Sequence, residues 1–414
     1  MPSSNANSRI NQWLLRKIYD AVGRPPIGLR LGSGANLSPE NASSATHVVI
    51  EDRQTLLRLM LDPEIGFGES YSQGRITVEG DLVAALEAVF RSMSEARRRT
   101  WYGRLVSRFM GYAQRNSRHG SRKNIHRHYD LATDFYRPWL DPQLVYTCAY
   151  FPTPNMTLEE AQIAKMDYVC RKLQLQAGER VIEAGCGWGA LALHMAKNYG
   201  VRVRAFNLSH EQIVWARQRA KKLGLTPWVE FVEDDYRNIT GASDAFVSVG
   251  MLEHVGVERY EELGAVIHRT LGKTGRGLLH FIGRNQPASF STWMRKRIFP
   301  GAHVPVLREV MRIFEPWNLS VLDIENLRMH YAKTVEHWLE RFERSARKVE
   351  EMFGLEFVRA WRLYLAGSIV GFRVGTLQLF QIVFARLARQ QIPWTRAHLY
   401  QQEELEAKWM HATS

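Results

Sequence analysis

The chain has 414 residues, 45% hydrophobic and 11% aromatic, with 55 Lys+Arg against 42 Asp+Glu and three cysteines. That length predicts two or three domains with a real core, and the composition excludes a disordered chain. Three cysteines are too few for a disulfide framework and point to a reducing compartment, while a formal net charge of +13 implies an acidic partner, either nucleic acid or anionic lipid.

The first nine residues are polar and no apolar run follows them, so no signal peptide is expected. His47–Ile50 and Arg75–Val78 predict short strands, and Asp81–Phe90 predicts a helix after Gly80. Residues 1–110 therefore read as a small mixed domain. The basic excess is concentrated: Arg91 to Arg127 holds eleven Lys+Arg and one acid, Glu95, leaving the rest of the chain near charge balance. On a helical wheel Trp101, Tyr102, Leu105, Val106, Phe109, Met110 and Tyr112 fall on one half, and Arg104, Arg108 and Arg115 on the other. A basic amphipathic helix with aromatic residues suits a membrane surface. An ordinary surface helix with a solvated charged face fits the same pattern. RNA binding fits least, because no RNA-recognition, KH or zinc-finger signature accompanies the patch. Residues 111–124 read as a basic linker.

From 125 to 400 the pattern changes to strands alternating with helices. Arg180–Glu183, Val201–Phe206, Trp228–Val232, Asp244–Val249 and Gly277–Ile282 predict strands, and Ala190–Tyr199, His210–Leu223 and Arg259–Leu271 predict helices. This order implies an α/β domain with a parallel sheet covered on both faces, binding ligands beyond the carboxyl ends of its strands. The most apolar stretch, Trp361–Ala385, is interrupted by Arg362, Arg373, Gln378 and Gln381, so no membrane-spanning segment is expected.

Glu183-Ala-Gly185-Cys-Gly187-Trp-Gly189 follows the first of these strands and opens a helix. Its glycines permit a tight turn and close approach of backbone amides to a ligand. The dinucleotide fingerprint needs a later glycine and an acid about 20 residues on. Ala205-Phe206-Asn207 supplies no such acid. The turn instead resembles the first motif of class I S-adenosylmethionine methyltransferases, whose acid and glycines meet the methionine and ribose portions. Asp235, at the end of the third strand, could accept from an adenine amino group or cap a helix.

Further segments extend the resemblance. In order along the chain stand His128-Tyr-Asp130 with Phe135-Tyr136, Tyr146-Thr-Cys-Ala-Tyr150, the glycine turn, and Asn207-Leu-Ser-His-Glu-Gln212. Gly250-Met-Leu-Glu-His-Val-Gly256, His280-Phe-Ile-Gly283, Ile298-Phe-Pro-Gly301 and His330-Tyr-Ala332 follow. Together they resemble the cyclopropane-fatty-acyl-phospholipid synthases and their mycolic acid cyclopropane synthase relatives, over about residues 120 to 390. Phe67-Gly-Glu-Ser-Tyr71, Gly74 and Gly80-Asp-Leu82 are similar to the N-terminal domain of the phospholipid enzymes, taken here as a lipid-docking domain. The resemblance implies a Rossmann-like class I methyltransferase domain with a mostly parallel seven-stranded sheet, preceded by a smaller mixed domain.

It also implies a reaction. The activated methyl of S-adenosylmethionine adds across a cis double bond of an acyl chain, and the resulting cation loses a proton to close a cyclopropane ring. An alkene is a poor nucleophile, so the partners must be held in line and dry, with a base beside an apolar channel. The resemblance makes that base a bound bicarbonate ion and matches Cys148, Glu253, His280, Ile282 and Tyr331 to its site. Glu253 would accept a hydrogen bond, His280 and Tyr331 would donate or relay protons, and Cys148 and Ile282 would act through backbone groups. Cys148 as a nucleophile is the rival role, disfavoured by the lack of a basic partner at useful spacing.

For S-adenosylmethionine the resemblance assigns Tyr146, Thr147, Glu183, Gly185, Gly187, Gly189, Asn207, Ser209, Gln212 and Asp235. Asn207 and Thr147 depart from the threonine and serine common in relatives, but both keep hydrogen-bonding capacity. The partners implied are unsaturated phospholipid and an anionic membrane surface, with no nucleic acid and a homodimer as an option. The place implied is cytoplasmic, peripheral to the inner face of the membrane. A C-methyltransferase making methyl- or methylene-branched chains is the alternative, since the same cation can lose a different proton.

No metal is expected. His126 and His128 lack a third ligand, and Glu253-His254 lacks the HExxH frame. Gly367, Gly371 and Gly375 suggest close helix packing, and Trp293–Phe299 reads either as a border of the acyl entrance or as a solvated loop.

Overall fold

A computed structural model describes residues 3–38, 46–99, 133–288 and 290–400. The basic amphipathic segment from Trp101 to Arg115, the linker, and the His126–Asp130 segment lie outside these residues. The described residues fall into two compact units, the first within 1–114, 284–302 and 331–377, the second within 115–283, 303–330 and 378–414.

In the first unit a four-stranded sheet has the order β2-β1-β3-β4, formed by β1 (Gly28–Leu31), β2 (Asn36–Leu37), β3 (His47–Ile50) and β4 (Ile76–Glu79). The two strands expected here are β3 and, one residue late, β4. Asp81 caps the following helix, Leu82–Arg99, its carboxylate accepting from the Val83 and Ala84 amides at 2.7 and 3.1 Å. The polar N-terminus forms a helix too, Ser3–Ala21.

Trp293–Phe299 is not a solvated loop. Thr292–Arg297 is a short helix whose Trp293 is buried against Gly68, where a Cβ would lie 2.4 Å from the indole. Arg297 ion-pairs with Glu69 and Glu356. Two long helices, Arg328–Phe353 and Leu355–Arg373, meet at Gly354, whose φ of +82° breaks the first from the second. The three spaced glycines do not act alike. A Cβ at Gly371 would lie 2.8 Å from Leu377, but one at Gly367 would meet nothing within 4 Å.

In the second unit seven strands form one sheet of order β10-β11-β9-β8-β5-β6-β7. These are β5 (Arg180–Ala184), β6 (Arg202–Asn207), β7 (Val229–Glu233), β8 (Ser243–Val249), β9 (Leu271–Gly283), β10 (Leu319–Asn326) and β11 (Gln378–Arg386). Five neighbours, β9-β8-β5-β6-β7, run parallel, while β11 pairs antiparallel with β9 and β10. The expected α/β class and mostly parallel sheet are therefore present. Successive strand residues feed opposite cores. Val181, Ala205, Phe231, Val247 and Leu278 pack with helix Ala190–Tyr199 on one face, and Ile182, Phe206, Phe246, Leu279 and Phe281 pack with helix Tyr260–Thr270 on the other. The apolar stretch from Trp361 is divided between a helix and β11, and no described helix is long and apolar enough to cross a membrane.

Strand β5 lies between β6 and β8, where the chain reverses the direction in which strands are added. In such sheets the crevice beyond the strand ends at that point receives ligands. The candidate residues Glu183, Asn207, Asp235, Glu253 and Ile282 stand at or just past these ends.

Candidate active site

Beyond β5 the glycine turn makes three left-handed residues, with φ of +84° at Gly185, +52° at Gly187 and +80° at Gly189. At Gly189 a Cβ would lie 2.5 Å from the Phe231 ring and 2.9 Å from Ala216, so only glycine lets the following helix approach the sheet. At Gly187 a Cβ would meet nothing within 4 Å. Trp188 anchors the turn. It is buried, packs edge-on to Tyr136 at 5.0 Å, and donates from Nε1 to Thr133 Oγ1 at 3.3 Å. Tyr146 joins this aromatic group, 5.4 Å from Tyr136 and 5.5 Å from Trp139.

The neighbouring Thr147 is held by helix Leu158–Leu173. That helix starts at a capping box formed by Thr157 and Glu160. Gln162 Nε2 donates to the Thr147 carbonyl at 2.9 Å, and one turn on Lys165 Nζ donates to Thr147 Oγ1 at 3.1 Å. Both side chains are buried. Burial pulls Lys165 down to about 8, against the opposing pull of Asp141, Cys148 and Glu183. Burial pushes Glu183 up to about 8, with Lys165 acting the other way. Sequence reading missed Gln162 and Lys165. Their signal was a Gln and a Lys one turn apart on an otherwise ordinary amphipathic helix, visible as meaningful only once that face is known to be buried. Lys165 also supplies the cation near Cys148 that spacing did not reveal.

On β6, Asn207 Nδ2 donates to Gln212 Oε1 at 2.7 Å and to the Gly187 carbonyl at 3.3 Å, tying the strand end to the glycine turn. Ser209 caps the helix His210–Lys222. Beyond β7, Asp235 caps the turn Tyr236–Asn238, accepting the Arg237 amide at 3.0 Å. Its carboxylate also receives the Arg237 guanidinium at 2.7 and 2.6 Å, a bidentate pair with both side chains buried. The capping role weighed for Asp235 is thus realised, and a guanidinium shares the carboxylate.

Two of the residues matched to a base site, Glu253 and Ile282, meet where β9 outruns β8. The parallel register ends at Val249 opposite His280, leaving the Ile282 amide without a strand partner on that side. Glu253, in the turn Leu252–His254, fills the place: its Oε1 accepts the Ile282 N–H at 2.6 Å. Burial pushes Glu253 up to about 7. Burial also pushes His280 well below the usual histidine range, with Lys165 and Lys172 adding to the effect, so its ring is neutral. Cys148 is buried, with its thiol toward the Ala149 carbonyl at 3.1 Å. Thr147 beside it approaches the end of β8, where a Cβ on Gly250 would lie 3.0 Å from Thr147 Cγ2. Tyr331 belongs to the first unit, stacked on Phe372 at 4.6 Å and edge-on to Trp338 at 5.9 Å.

Four of the site residues expected from sequence carry a buried polar atom with no partner among the described residues: Glu183 Oε2, Gln212 Nε2, Glu253 Oε2 and His280 Nε2. Such atoms are costly in a folded interior unless a ligand or an ordered water pairs with them. Among the described residues no group of three or more His, Cys, Asp and Glu side chains is arranged to hold a metal.

The sheet order, the glycine turn and the polar groups beyond its strand ends define a class I methyltransferase domain. The family model of mycolic acid cyclopropane synthetases matches residues 116–382, and the chain belongs to that family. It is 33% identical to a probable fatty acid methyltransferase of Pseudomonas putida over 91% of this chain and 96% of that one. It is 34% identical to the cyclopropane-fatty-acyl-phospholipid synthase of Escherichia coli K12, over 84% and 89% of the respective chains. Among solved structures, a mycolic acid cyclopropane synthase complexed with SAH and CTAB superposes with a TM-score of 0.61 at 31% identity, covering 64% of this chain and 98% of that one.

Proposed function

We propose that this protein transfers a methylene from S-adenosylmethionine across a cis double bond of an unsaturated phospholipid acyl chain, forming a cyclopropane ring. The observation that carries the reading is Glu253 bound to the Ile282 amide through Oε1 while its Oε2, like His280 Nε2 two residues back along β9, has no partner among the described residues. A buried acceptor and a buried ring nitrogen at the ends of neighbouring strands suit a small oxyanion acid such as bicarbonate. Glu253 and His280 would hold it with the backbone at Cys148 and Ile282, and the family resemblance adds the Tyr331 hydroxyl. Bicarbonate, when bound, supplies the base for ring closure.

The remaining work falls to the chain. The glycine turn, Tyr146, Thr147, Asn207, Ser209, Gln212 and Asp235 would hold the methyl donor with its sulfonium toward the strand ends. The alkene π pair forms a bond to the methyl carbon as the carbon–sulfur bond breaks, leaving S-adenosylhomocysteine and a cation on the acyl chain. Loss of a proton from the new methyl leaves its C–H pair to close the ring. Ionised Glu253 accepts a hydrogen bond and His280 holds a proton at the site, both in surroundings from which water is excluded.

The likeness to a probable fatty acid methyltransferase favours a second reading, a C-methyltransferase in which the same cation loses a different proton. Expression in a host lacking the activity separates the two. Ring formation yields chains heavier by one methylene with the high-field proton signals of a cyclopropane. A methylene- or methyl-branched product without those signals defeats ring closure, and unchanged lipids defeat both readings.

The substrate surface follows from charge. Residues 91–127 hold eleven of the 55 Lys+Arg and one of the 42 acids, which supports docking on anionic phospholipid by the N-terminal domain and linker. Replacing Arg104, Arg108 and Arg115 by glutamine should release the protein from anionic vesicles while leaving S-adenosylhomocysteine affinity intact. Equal vesicle binding by that variant removes the patch from docking.

A further inference from the structure

We propose that Gln381 is a positioning residue that fixes His280 as the tautomer protonated on Nε2, so that the ring donates a hydrogen bond into the site. The proposal rests on the base-site reading above.

Gln381 and His280 lie directly opposite one another in the antiparallel pairing of β11 with β9. Gln381 is fully buried and His280 nearly so. Gln381 Nε2 stands 3.0 Å from His280 Nδ1. An amide N–H can only donate, so the nitrogen that faces it must be the bare, accepting one. A neutral imidazole carries one proton, and it then resides on Nε2. That nitrogen is the one without a partner among the described residues.

The surroundings support a functional purpose for this glutamine. It interrupts a strand whose other central residues, Leu379, Phe380, Ile382, Val383 and Phe384, are all buried and apolar. Its Nε2 faces His280 Nδ1, and its Oε1 has no partner among the described residues. The charged groups acting on the ring are Lys165 and Lys172 of helix Leu158–Leu173, and both oppose a second proton. The ring is therefore a fixed neutral donor, and what sets its direction is the glutamine across the strand.

The tautomer can be read directly. In the full-length protein labelled with nitrogen-15 histidine, long-range proton–nitrogen correlation at neutral pH should give His280 a bare Nδ1 and a protonated Nε2. The signal is assigned by its loss in His280→Gln. A proton on Nδ1, or on both nitrogens, overturns the proposal without reference to any activity. Gln381→Glu replaces the donor by an acceptor of the same shape and should move the proton to Nδ1. Turnover on unsaturated phospholipid vesicles should then fall about 100-fold, the scale of a misplaced proton-transfer group. The Kd for S-adenosylhomocysteine should stay within about twofold, because the change does not touch donor binding. Turnover within about threefold of the parent would remove Gln381 from the mechanism. If the parent protein itself modifies no lipid, the base-site reading falls while the spectrum still decides the tautomer.

Discussion

Lys165 Nζ donates to Thr147 Oγ1 across 3.1 Å while Gln162, one turn earlier, holds the Thr147 carbonyl at 2.9 Å. One face of a single helix thus fixes the segment that carries Tyr146, Thr147 and Cys148. Lys165 is also the cation that opposes the upward push of burial on Glu183. Lys165→Met keeps the length and removes the charge. It should weaken S-adenosylhomocysteine binding about tenfold through the loosened Thr147, and lower stability by about 1–3 kcal/mol by leaving the buried Thr147 hydroxyl without its donor. Titration calorimetry and thermal melting read the two effects. Above about pH 8, where Glu183 ionises, adding Glu183→Gln should restore part of the melting temperature. A double variant no more stable than Lys165→Met would show that the two groups are not coupled.

Two glycines of the same turn should fail differently. Gly189→Ala places a methyl against Phe231 and Ala216 at a φ of +80°, so the combined strain and overlap should cost about 3 kcal/mol and lower the melting temperature. Gly187→Ala meets no atom within 4 Å and carries only backbone strain, about 1 kcal/mol. Its methyl would stand in the space into which the turn opens, so it should fold and lose methyl-donor binding about tenfold or more. Calorimetry on both variants decides. Retained binding in a folded Gly187→Ala would move the donor away from this turn.

The parallel half of the sheet was legible because its strands alternate with capped, amphipathic helices and end in a glycine turn. Expected and observed bounds for β5 to β8 differ by one residue at most ends. β11 was not legible as a strand. It is buried on both faces, so its residues run apolar without alternation and merge with the helix before it. The site divides in the same way. Glu183, Asn207, Asp235 and Glu253 are marked by motifs at strand ends, where the local pattern is sufficient. Gln162, Lys165 and Gln381 acquire meaning only through contacts with residues 15, 18 and 101 positions away, which no local pattern encodes. Arg237 was missed for another reason: a guanidinium two residues from Asp235 is unremarkable in sequence, and its bidentate pairing depends on the turn between them.

That pairing makes Asp235 a structural residue whatever it binds. Asp235→Ala leaves a buried guanidinium uncompensated and should cost about 3–5 kcal/mol. Adding Arg237→Leu removes the orphaned charge and should recover most of that loss. The stabilised double variant then tests binding cleanly. If Asp235 meets the adenine of the donor, the double variant folds and binds S-adenosylhomocysteine about tenfold more weakly. Parent-like affinity would leave the carboxylate with its cap and its arginine alone.

Glu253 gives the reaction its expected dependence on pH. Burial raises its carboxyl from 4.5 to about 7, so it is protonated below that value and ionised above it. The reading in which Glu253 accepts a hydrogen bond needs the ionised form, and turnover should rise as the pH passes upward through about 7. Stability should move the other way. The unfolded carboxyl ionises near 4.5 while the folded one still holds its proton, so stability from this group is full below 4.5 and lost as the pH rises through about 7. The loss amounts to about 3 kcal/mol. Glu253→Gln keeps an oxygen for the Ile282 amide but has no proton to lose. It should bind S-adenosylhomocysteine normally, turn over at least about 100-fold more slowly, and lose about 3 kcal/mol less stability than the parent across this range. Denaturant titrations on both sides of neutrality, paired with a pH profile of kcat/KM, check each part. Near-parent turnover by Glu253→Gln, or a profile flat through neutrality, would take Glu253 out of the proton-transfer machinery.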